Sequence, residues 1–354
     1  MKGIILHGGH GTRLEPLTFF VPKQLLPIAN KPMSQYALED LRNAGINEIA
    51  IIVGDVYPQK VKEYYGTGEK FGVKITYISQ EKPKGIAHAI NLCRDFVGEE
   101  KFAVYLGDNI LQNGISEYVE KFEKEQSIDS FILLCKVDDP SRFGIAELEN
   151  KKIVKIVEKP KQPLSNLAVI GVYFFNPKIF DIIDKQKPSW RNELEVTDSL
   201  QIMIERGLVV EYDIVTGGWK DTGTPEDVIH ANQLILDTIT SKSKSSDKNF
   251  NFNKKLILSK DSSISSDTLI TGPVIIGDNC KIGPKVRLGP YVSIGNNTVL
   301  KHCEIENSII MNNCKIDSNV EISGSIISQG SEITHNGKNS KHQFLLGERS
   351  KLKL

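Results

Sequence analysis

Apolar side chains spaced six residues apart in the last third of the chain restrict the possible folds more than any other feature of the sequence. The first series of these side chains comprises Leu258, Ile264, Ile270, Ile276, Ile282, Leu288, Ile294 and Leu300. A second series, two positions earlier in each repeat, comprises Val274, Cys280, Val286, Val292 and Thr298. Such a repeat is typical of a parallel β-helix, in which each repeat supplies a short strand and a turn, and stacked coils bury a continuous apolar column.

The repeat has one interruption and a polar segment in front of it. After a break near residues 304–307 the register resumes with Ile310, Ile316, Ile322, Cys314, Val320 and Ile326. Residues 240–255 are rich in Ser, Lys and Asn and lack periodicity, which is typical of a domain boundary. We therefore predict an α/β domain over residues 1–240, a linker over 241–255, a β-helix over 256–335 and a tail over 336–354.

Helix and strand patterns alternate through the predicted N-terminal domain. Residues 31–45 have helical spacing, whereas residues 48–53 and 102–106 are apolar and extended. Such alternation predicts a doubly wound, mostly parallel sheet that binds its ligands at the carboxyl ends of the strands. The composition, with 40% apolar and 25% charged residues in a chain of 354, suits a globular protein of two domains.

A glycine-rich turn follows the first predicted strand, residues 2–6. Its glycines are Gly8, Gly9 and Gly11. Without Cβ atoms the backbone can take positive φ and expose N–H groups to phosphate oxygens. Arg13 and Lys23 add the positive charge that a polyphosphate requires. No GxxxxGK[ST] run is present, and Leu14 breaks GxGxxG, so the turn predicts a nucleotide site of another kind.

Charge and cysteine content exclude several classes of function. The 44 basic residues equal the 44 acidic ones, so no overall positive field favours nucleic acid. The five cysteines form no CxxC pair and are interpreted as buried thiols of a reducing compartment. The N-terminal apolar run ends at Leu6, and no apolar stretch reaches transmembrane length. We predict a cytoplasmic protein without a nucleic-acid or membrane partner.

Polar residues follow three predicted strands at the edge where ligands are expected. They are Gln80 with Pro83 and Gly85, Asp108 within Gly-Asp-Asn, and Glu158 with Lys159. An amide suits a pyrimidine edge, and a strand-end carboxylate suits Mg²⁺. From the residues alone, a surface glutamine, a turn or helix-cap aspartate and an exposed ion pair are the alternative interpretations.

The N-terminal motif identifies a family resemblance that extends to about residue 240. The motif reads Leu6-x-Gly8-Gly9-x-Gly11-Thr12-Arg13-Leu14-x-Pro16-Leu17-Thr18, then Pro22-Lys23-x-Leu25-Leu26-Pro27-Ile28-x-Asn30-Lys31-Pro32-Met33. It resembles the signature of sugar-1-phosphate nucleotidylyltransferases, most closely the glucose-1-phosphate thymidylyltransferases. The resemblance implies a Rossmann-like nucleotidyltransferase domain. The hexad repeat is similar to the left-handed β-helices of acyltransferases and long-form nucleotidylyltransferases.

The resemblance also implies roles for individual residues. The residues implied to bind the nucleotide are Leu6, Gly8, Gly9, Gly11, Thr12, Arg13, Gln80, Pro83, Gly85 and Asp108. Those implied to bind the sugar phosphate are Gly144, Glu158, Lys159, Gly171 and Glu195. Arg13, Lys23 and Lys159 would be catalytic, and Asp108 and Asp221 would hold Mg²⁺. His7 departs from the family, which usually has alanine there; it would either alter nucleotide preference or simply pack at the strand end.

The expected reaction joins dTTP to α-D-glucose-1-phosphate and releases pyrophosphate. Two alternatives are a UTP-using or less selective enzyme and a non-catalytic subunit that senses a nucleotide sugar. The β-helix is expected to assemble a homo-oligomer. An acyltransferase activity of the β-helix is the alternative, with His302 and His335 as candidate residues.

Overall fold

The computed structural model describes residues 1–242, 255–259 and 261–353, with the side chains of residues 240–242 and 335–339 outside the description. Most of the predicted linker, residues 243–254, lies outside the described residues. The chain forms two compact units. The sheet unit comprises Met1–Gly9 and Ser34–Asp221, and the β-helix unit comprises His10–Met33 and Thr222–Leu354. The N-terminal segment His10–Met33 therefore belongs to the same unit as the β-helix.

Thirteen strands and eight helices are formed by residues 1–242. The strands are β1 (Lys2–His7), β2 (Pro27–Ile28), β3 (Lys31–Pro32), β4 (Glu48–Val53), β5 (Lys74–Ser79), β6 (Phe102–Leu106), β7 (Asn109–Leu111), β8 (Ser130–Lys136), β9 (Gly144–Glu149), β10 (Lys152–Glu158), β11 (Leu167–Phe175), β12 (Val210–Ile214) and β13 (Trp219–Asp221). The helices are α1 (Met33–Asn43), α2 (Pro58–Tyr65), α3 (Ile86–Asn91), α4 (Arg94–Val97), α5 (Ser116–Lys124), α6 (Lys178–Ile183), α7 (Val196–Glu205) and α8 (Pro225–Lys242).

The main sheet of the sheet unit is mixed. Its strand order is β10-β9-β11-β6-β1-β4-β5, and β8 pairs with β11 and β12. Strands β6, β1, β4 and β5 are mutually parallel, whereas β11 is antiparallel to β6, β8 and β9. The α/β prediction is confirmed for this sheet, with a larger antiparallel part than predicted. One reason is the β9–β10 hairpin, whose two turn residues Asn150 and Lys151 have φ of 49° and 62°, as tight hairpins require.

Helices cover both faces of the parallel strands, which explains why β1, β4 and β6 are mostly apolar and buried, whereas β5 at the edge of the sheet is partly exposed. On one face, Ile4 and Leu6 of β1 share a buried cluster with residues of α3, α6 and α7. On the other face, the Cα of Gly3 approaches Leu41 of α1 so closely that an added Cβ would lie 3.1 Å from its side chain. Strand β1 is thereby held between layers of helices.

The C-terminal part is a parallel β-helix, as the hexad repeat predicts. Its strands are β14 (Leu256–Leu258), β15 (Ser263–Ile264), β16 (Leu269–Ile270), β17 (Val274–Ile276), β18 (Lys281–Ile282), β19 (Arg287–Leu288), β20 (Val292–Ile294), β21 (Val299–Glu306), β22 (Ser308–Ile310), β23 (Lys315–Ser323), β24 (Ile326–Ile327), β25 (Glu332–His342), β26 (Leu345–Leu346) and β27 (Lys351–Lys353). All pairings between these strands are parallel. Residues of both hexad series, from Ile270 onwards, form its buried core.

The parallel ladder continues beyond residue 335, where the sequence analysis ends the β-helix. Strand β26 pairs with β24, and β27 pairs with β25. Leu346 and Leu352 pack against the same apolar core. These two residues are again six positions apart, but a longer segment separates them from Ile333, so the periodicity is not visible in the sequence. No helix among the described parts of the chain has the length and apolar character needed to cross a membrane.

Candidate active site

The strand ends that carry predicted nucleotide ligands lie side by side in the sheet unit. In the parallel ladder, Leu6 is opposite Leu106 and His7 is opposite Val53. The ladder continues past the strands, because Gly107 N donates to Leu6 O at 3.0 Å. Gly8 and Gly9 therefore leave the sheet beside the segment that carries Asp108.

Gln80, directly after β5, is buried and not a surface side chain. Only 5% of it is exposed, and Gln80 N donates to Val53 O at 2.9 Å. Its Nε2 lies 2.9 Å from His88 Nδ1 and 3.4 Å from Gly85 O. An atom added as Cβ at Gly8 would lie 3.9 Å from Gln80 Oε1. The amide oxygen thus lies at the glycine-rich turn, whereas Pro83 is exposed.

Gly85 joins this turn to the segment that precedes α7. Its φ is 101°, and an added Cβ would lie 2.6 Å from Leu194 N. Leu194 N donates to Lys84 O at 2.8 Å, and Ala87 N donates to Leu194 O at 3.0 Å. Both the φ and the close backbone approach require glycine here.

A short two-stranded ladder brings the two predicted magnesium ligands together. Strand β7 is antiparallel to β13, with Asn109 opposite Asp221, so Asp221 and Asp108, the residue before Asn109, lie at the same end of this ladder. Asp108 is 9% exposed and precedes a strand, so it caps no helix. Within the described ranges, no group of three or more His, Cys, Asp or Glu residues forms a metal cluster. A pair of carboxylates completed by phosphate oxygens and water is the arrangement that Mg²⁺ accepts.

Asn109 holds this part of the site in place. Its Nδ2 donates to Asp108 Oδ1 at 3.1 Å. Its Oδ1 accepts hydrogen bonds from Trp219 Nε1 at 2.8 Å and from Gly171 N at 3.2 Å. One buried side chain thereby connects the Asp108 carboxylate to β13 and to β11. Asn109 was not among the site residues predicted from the sequence.

Four acidic side chains influence the phenol of Tyr173, in β11, through their charge. Burial raises the pKa of its phenol, and the negative charges of Glu158, Asp108, Asp221 and Glu195 raise it further. The predicted metal ligands and two predicted sugar ligands are therefore close enough to act on one phenol. The sheet unit brings them together although they come from four separate parts of the chain.

Glu158 is the centre of a cluster of charged and polar groups at the end of β10. Lys159 Nζ lies 3.5 Å from Glu158 Oε1, and Arg191 Nη1 lies 3.7 Å from the same oxygen. Thr197 Oγ1 donates to Glu158 Oε2 at 2.9 Å. Burial raises the pKa of Glu158, and Glu195 acts in the same direction, whereas Lys159, Thr197 and Arg191 oppose the shift. The carboxylate of Glu158 can accept hydrogen bonds from sugar hydroxyls, and the two neighbouring cations can bind a phosphate beside it.

Arg191 is a candidate site residue that the sequence analysis missed. Its Nη1 lies 3.3 Å from Glu195 Oε1, and its Nη2 lies 3.2 Å from Glu193 Oε1. Glu195 is only 4% exposed and also accepts a hydrogen bond from Ser189 Oγ at 3.0 Å. The signal in the sequence was an arginine next to the acidic start of α7. Arg191 and Lys159 together supply two positive charges where the sugar phosphate is expected.

Gly144 and Gly171 make room for protein side chains. At Gly144, an added Cβ would collide with the Thr197 methyl group and lie 3.2 Å from Glu158 Oε2. At Gly171, it would lie 2.7 Å from the side chain of Asn109. Contact of either glycine with a sugar ring stays a prediction.

The basic pair Arg13 and Lys23 lies in the β-helix unit, on the segment His10–Met33, which we call the N-terminal loop. Gly11 has φ of 67° and precedes a 3₁₀ turn that contains Thr12 and Arg13. An added Cβ at Gly11 would lie 3.2 Å from Lys23 Cβ. Thr18 Oγ1 donates to Gly11 O at 2.9 Å and closes the turn. The N-terminal loop thus folds so that Lys23 lies next to the Gly11–Arg13 turn.

His7 packs at the end of β1. It is 5% exposed, and its ring meets that of Tyr65 edge-on at 5.9 Å. Among the residues that the structure describes, neither ring nitrogen has a hydrogen-bond partner. Burial lowers the pKa of His7 to about 3, against a smaller opposite effect of Asp108. The side chain of His7 is therefore packed at the end of the strand, as one of the two interpretations predicted. An influence of His7 on nucleotide preference stays a prediction.

We expect His7 to make the folded protein less stable in acid. The folded pKa is about 3 and the ordinary value is 6.5, so between these values the unfolded chain binds a proton that the folded chain does not. The free energy of unfolding should fall as the pH drops below 6.5, by at most about 1.4 kcal/mol per pH unit. Urea unfolding at pH 7 and pH 5 measures this effect. The variant His7→Leu should lose part of the pH dependence, and an identical dependence in both proteins would contradict the prediction.

The two histidines considered for a second activity differ in what the structure describes. His302 Nδ1 lies 3.0 Å from Asp317 Oδ1 on the outside of the β-helix, and its side chain is 38% exposed. The side chain of His335 lies outside the described residues. An acyltransferase function stays an untested alternative.

Comparison with known proteins places these observations in a family. Residues 2–238 match the family described as Nucleotidyl transferase. The chain belongs to the nucleotidyl transferase family. Residues 270–353 match the GMPPB C-terminal domain, which includes the coils beyond residue 335. The resemblance inferred from the N-terminal motif is confirmed.

Curated relatives support the same assignment. The low-salt glycan biosynthesis nucleotidyltransferase Agl11 of Haloferax volcanii is 48% identical over 238 residues, which are 67% of this chain and 66% of that protein. A glucose-1-phosphate thymidylyltransferase of Streptomyces griseus is 43% identical over 239 residues, 67% of each chain. The enzyme of the same name from Neisseria meningitidis is 38% identical over 66% of this chain and 82% of its own. The matched region spans about two thirds of the first two relatives.

Two solved structures have the same fold in the matched region. A provisionally assigned glucose-1-phosphate thymidylyltransferase from Bacillus anthracis, solved with sucrose, is 44% identical with a TM-score of 0.63 and covers 66% of this chain and 94% of its own. A UDP-glucose pyrophosphorylase solved with UDP-glucose is 30% identical with a TM-score of 0.59 and covers 67% of this chain and 98% of its own.

Proposed function

We propose that this nucleotidyl transferase moves a thymidylyl group from dTTP to α-D-glucose-1-phosphate, giving dTDP-glucose and pyrophosphate. The observation that carries the proposal is the pairing of β7 with β13, which places Asn109 opposite Asp221 and so brings Asp108, the residue before Asn109, to the same end of the ladder as Asp221. The same unit places Lys159 and Arg191 around Glu158. Thymidylyltransferases at 38% to 43% identity support the choice of substrates.

The reaction needs no side-chain nucleophile. An oxygen of the sugar phosphate attacks the α-phosphorus of the triphosphate in line, and the bond to the departing pyrophosphate breaks on the opposite side. Catalysis then rests on positioning and charge neutralisation. We assign Lys159 to the attacking phosphate, Lys23 to the α-phosphoryl group, and Arg13 to the triphosphate and the developing pyrophosphate. Glu158 and Glu195 would accept hydrogen bonds from sugar hydroxyls.

Asp108 and Asp221 fit a divalent cation. They offer hard carboxylate oxygens, Asp221 from the end of β13 and Asp108 from the residue before the partner strand β7, and the hydrogen bond from Asn109 Nδ2 orients the Asp108 carboxylate. When bound, Mg²⁺ would neutralise charge on the phosphate oxygens. The remaining residues assigned here bind and orient the two anionic substrates, which otherwise repel each other.

Gln80 is the residue proposed to recognise the base by hydrogen bonding. Its buried amide lies at the glycine-rich turn, and an amide offers both a donor and an acceptor to the pyrimidine edge. Thymine and uracil present the same edge, however, and a methyl group is worth only about 1–3 kcal/mol. Use of UTP is therefore the second candidate, and the similarity to a UDP-glucose pyrophosphorylase favours testing it.

A pyrophosphate-release screen tests the proposal directly. We expect the highest kcat/KM with dTTP and glucose-1-phosphate when dTTP, UTP, dATP and GTP are crossed with glucose-, N-acetylglucosamine- and mannose-1-phosphate. Because the Gln80 amide is assigned to the edge of a pyrimidine at this position, both purine nucleotides should be poor substrates. Equal rates with dTTP and UTP would overturn dTTP preference while leaving the transferase intact.

The screen also tests the non-catalytic alternative. A sensing subunit would be expected to lack charged groups at the phosphate sites, yet Arg13, Lys23, Asp108, Lys159 and Asp221 are all present. Absence of pyrophosphate release from the purified protein with every substrate pair would favour the sensing subunit and contradict the enzyme. The expected homo-oligomer is a separate proposal, which light scattering of the purified protein tests.

A further inference from the structure

The N-terminal loop contains a hairpin whose tip has an uncommon backbone conformation. Strands β2 and β3 are antiparallel, and the two residues between them, Ala29 and Asn30, have φ of 46° and 63°. A two-residue hairpin turn requires positive φ at both positions, but alanine adopts this conformation at a cost that surrounding contacts must offset. The contacts of this tip are therefore informative.

The tip is held by a buried amide of α8. Ala29 N donates to Asn232 Oδ1 at 2.8 Å. The same oxygen accepts a hydrogen bond from Ser293 Oγ, in β20 of the β-helix, at 2.7 Å. Asn232 is 1% exposed, and Ser293 is completely buried. A single oxygen atom thus connects the hairpin tip, helix α8 and a coil of the β-helix.

Two further contacts attach the N-terminal loop to the β-helix. Asn30 Nδ2 donates to Ile294 O, one residue after Ser293, at 2.7 Å. Near the other end of the loop, Pro16 lies so close to Gly347 that an added Cβ there would be 3.3 Å from Pro16 Cβ. Gly347 follows strand β26, in the coils beyond residue 335. The β-helix therefore contacts the loop on both sides of Lys23, and one of these contacts is three residues from Arg13.

We propose that the β-helix positions the triphosphate-binding cations, and that Asn232 is the positioning residue of this contact. The inference rests on the proposed function for the roles of Arg13 and Lys23. Both side chains are long, so their charged ends stay in place only if the backbone beneath them is held. Misplacement of a binding group by about 1 Å can cost about a hundredfold in rate. In this role the β-helix contributes to nucleotide binding and not only to assembly.

The first test compares Asn232→Ala with Gln233→Ala. Gln233 is the neighbouring residue on α8, and its Nε2 donates to Asn307 Oδ1 of the β-helix at 2.6 Å, which makes it a matched control. We expect Asn232→Ala to raise KM for the triphosphate on the order of tenfold, because the net free energy of about one hydrogen bond corresponds to such a change. KM for the sugar phosphate should stay within about twofold of the wild-type value. Asn232→Asp keeps an oxygen acceptor and should recover part of the loss.

If Asn232 only stabilised the fold, Asn232→Ala would reduce the amount of folded protein. That loss would lower the apparent kcat and leave both KM values unchanged, and this outcome would overturn the proposal. Equal effects of Asn232→Ala and Gln233→Ala would also overturn it, since both remove a hydrogen bond between α8 and the β-helix.

Amide hydrogen exchange separates this inference from the proposed function, because it does not require activity. In Asn232→Ala, the amides of residues 26–33 should exchange at least about tenfold faster than in the wild type, whereas Gln233→Ala should leave them unchanged. Unchanged exchange in both variants would overturn the anchoring. If the wild type releases no pyrophosphate with any substrate pair, the proposed function fails, and the exchange result still decides whether Asn232 anchors the loop.

Discussion

Replacing Asp108 with Asn is expected to reduce the rate of pyrophosphate release by about 10²–10³. The substitution keeps the shape of the side chain but removes a negative charge from a position that is 9% exposed. Asp221 alone would then face the cation, so the concentration of Mg²⁺ needed for half-maximal activity should rise. Steady-state rates measured over a range of Mg²⁺ concentrations at saturating substrates check both effects.

Asp213→Asn is the control for this experiment. Asp213 belongs to the same unit, is 44% exposed and pairs with Lys121 at 3.1 Å. Exposed ion pairs contribute little, so both the rate and the Mg²⁺ dependence should match the wild type. Near-normal turnover of Asp108→Asn at limiting Mg²⁺ would refute the assignment of Asp108 to the metal.

Replacing Lys159 with Met is expected to lower kcat/KM for the sugar phosphate by about 10². Methionine keeps much of the side-chain length but removes the charge assigned to the attacking phosphate. The effect should appear in KM and kcat for glucose-1-phosphate, whereas KM for the triphosphate should change little. Initial rates with each substrate varied in turn measure this difference.

Lys155→Met provides a matched comparison on the strand that leads to Lys159. Lys155 belongs to β10, which ends one residue before Lys159; its side chain is 54% exposed, and its Nζ lies 3.9 Å from Glu147 Oε1. We expect wild-type kinetics from this variant. If Lys159→Met raised KM for the triphosphate instead, the lysine would have to be reassigned to the nucleotide.

Local patterns in the sequence were sufficient for the main architectural predictions. The six-residue repeat predicted the parallel β-helix because each coil repeats the same short strand and turn, so its signal accumulates along the chain. The apolar segments 48–53 and 102–106 were predicted as strands and appear as β4 and β6. A regular spacing survives in the sequence whenever the structure repeats locally.

Features that depend on distant segments were not predictable in this way. Asn109 interacts with Trp219, which is 110 positions away, and no periodicity records that contact. Arg191 looks like an ordinary charged residue until the fold places it beside Glu158 and Glu195. The coils beyond residue 335 were missed because a longer segment interrupts the hexad between Ile333 and Leu346.

Residue types and their spacing by themselves determined the fold class, the glycine-rich turn and the candidate carboxylates and cations, because each is recorded within a few neighbouring positions. Only the tertiary structure decided that β7 pairs with β13, which brings Asp108 and Asp221 to the same end of one ladder, and that the N-terminal loop is anchored to the β-helix through Asn232. The physical reason is that ladder register and buried hydrogen bonds are made between segments far apart in the chain. Which segments pair in this way depends on how the whole chain packs, and local sequence patterns do not record that packing.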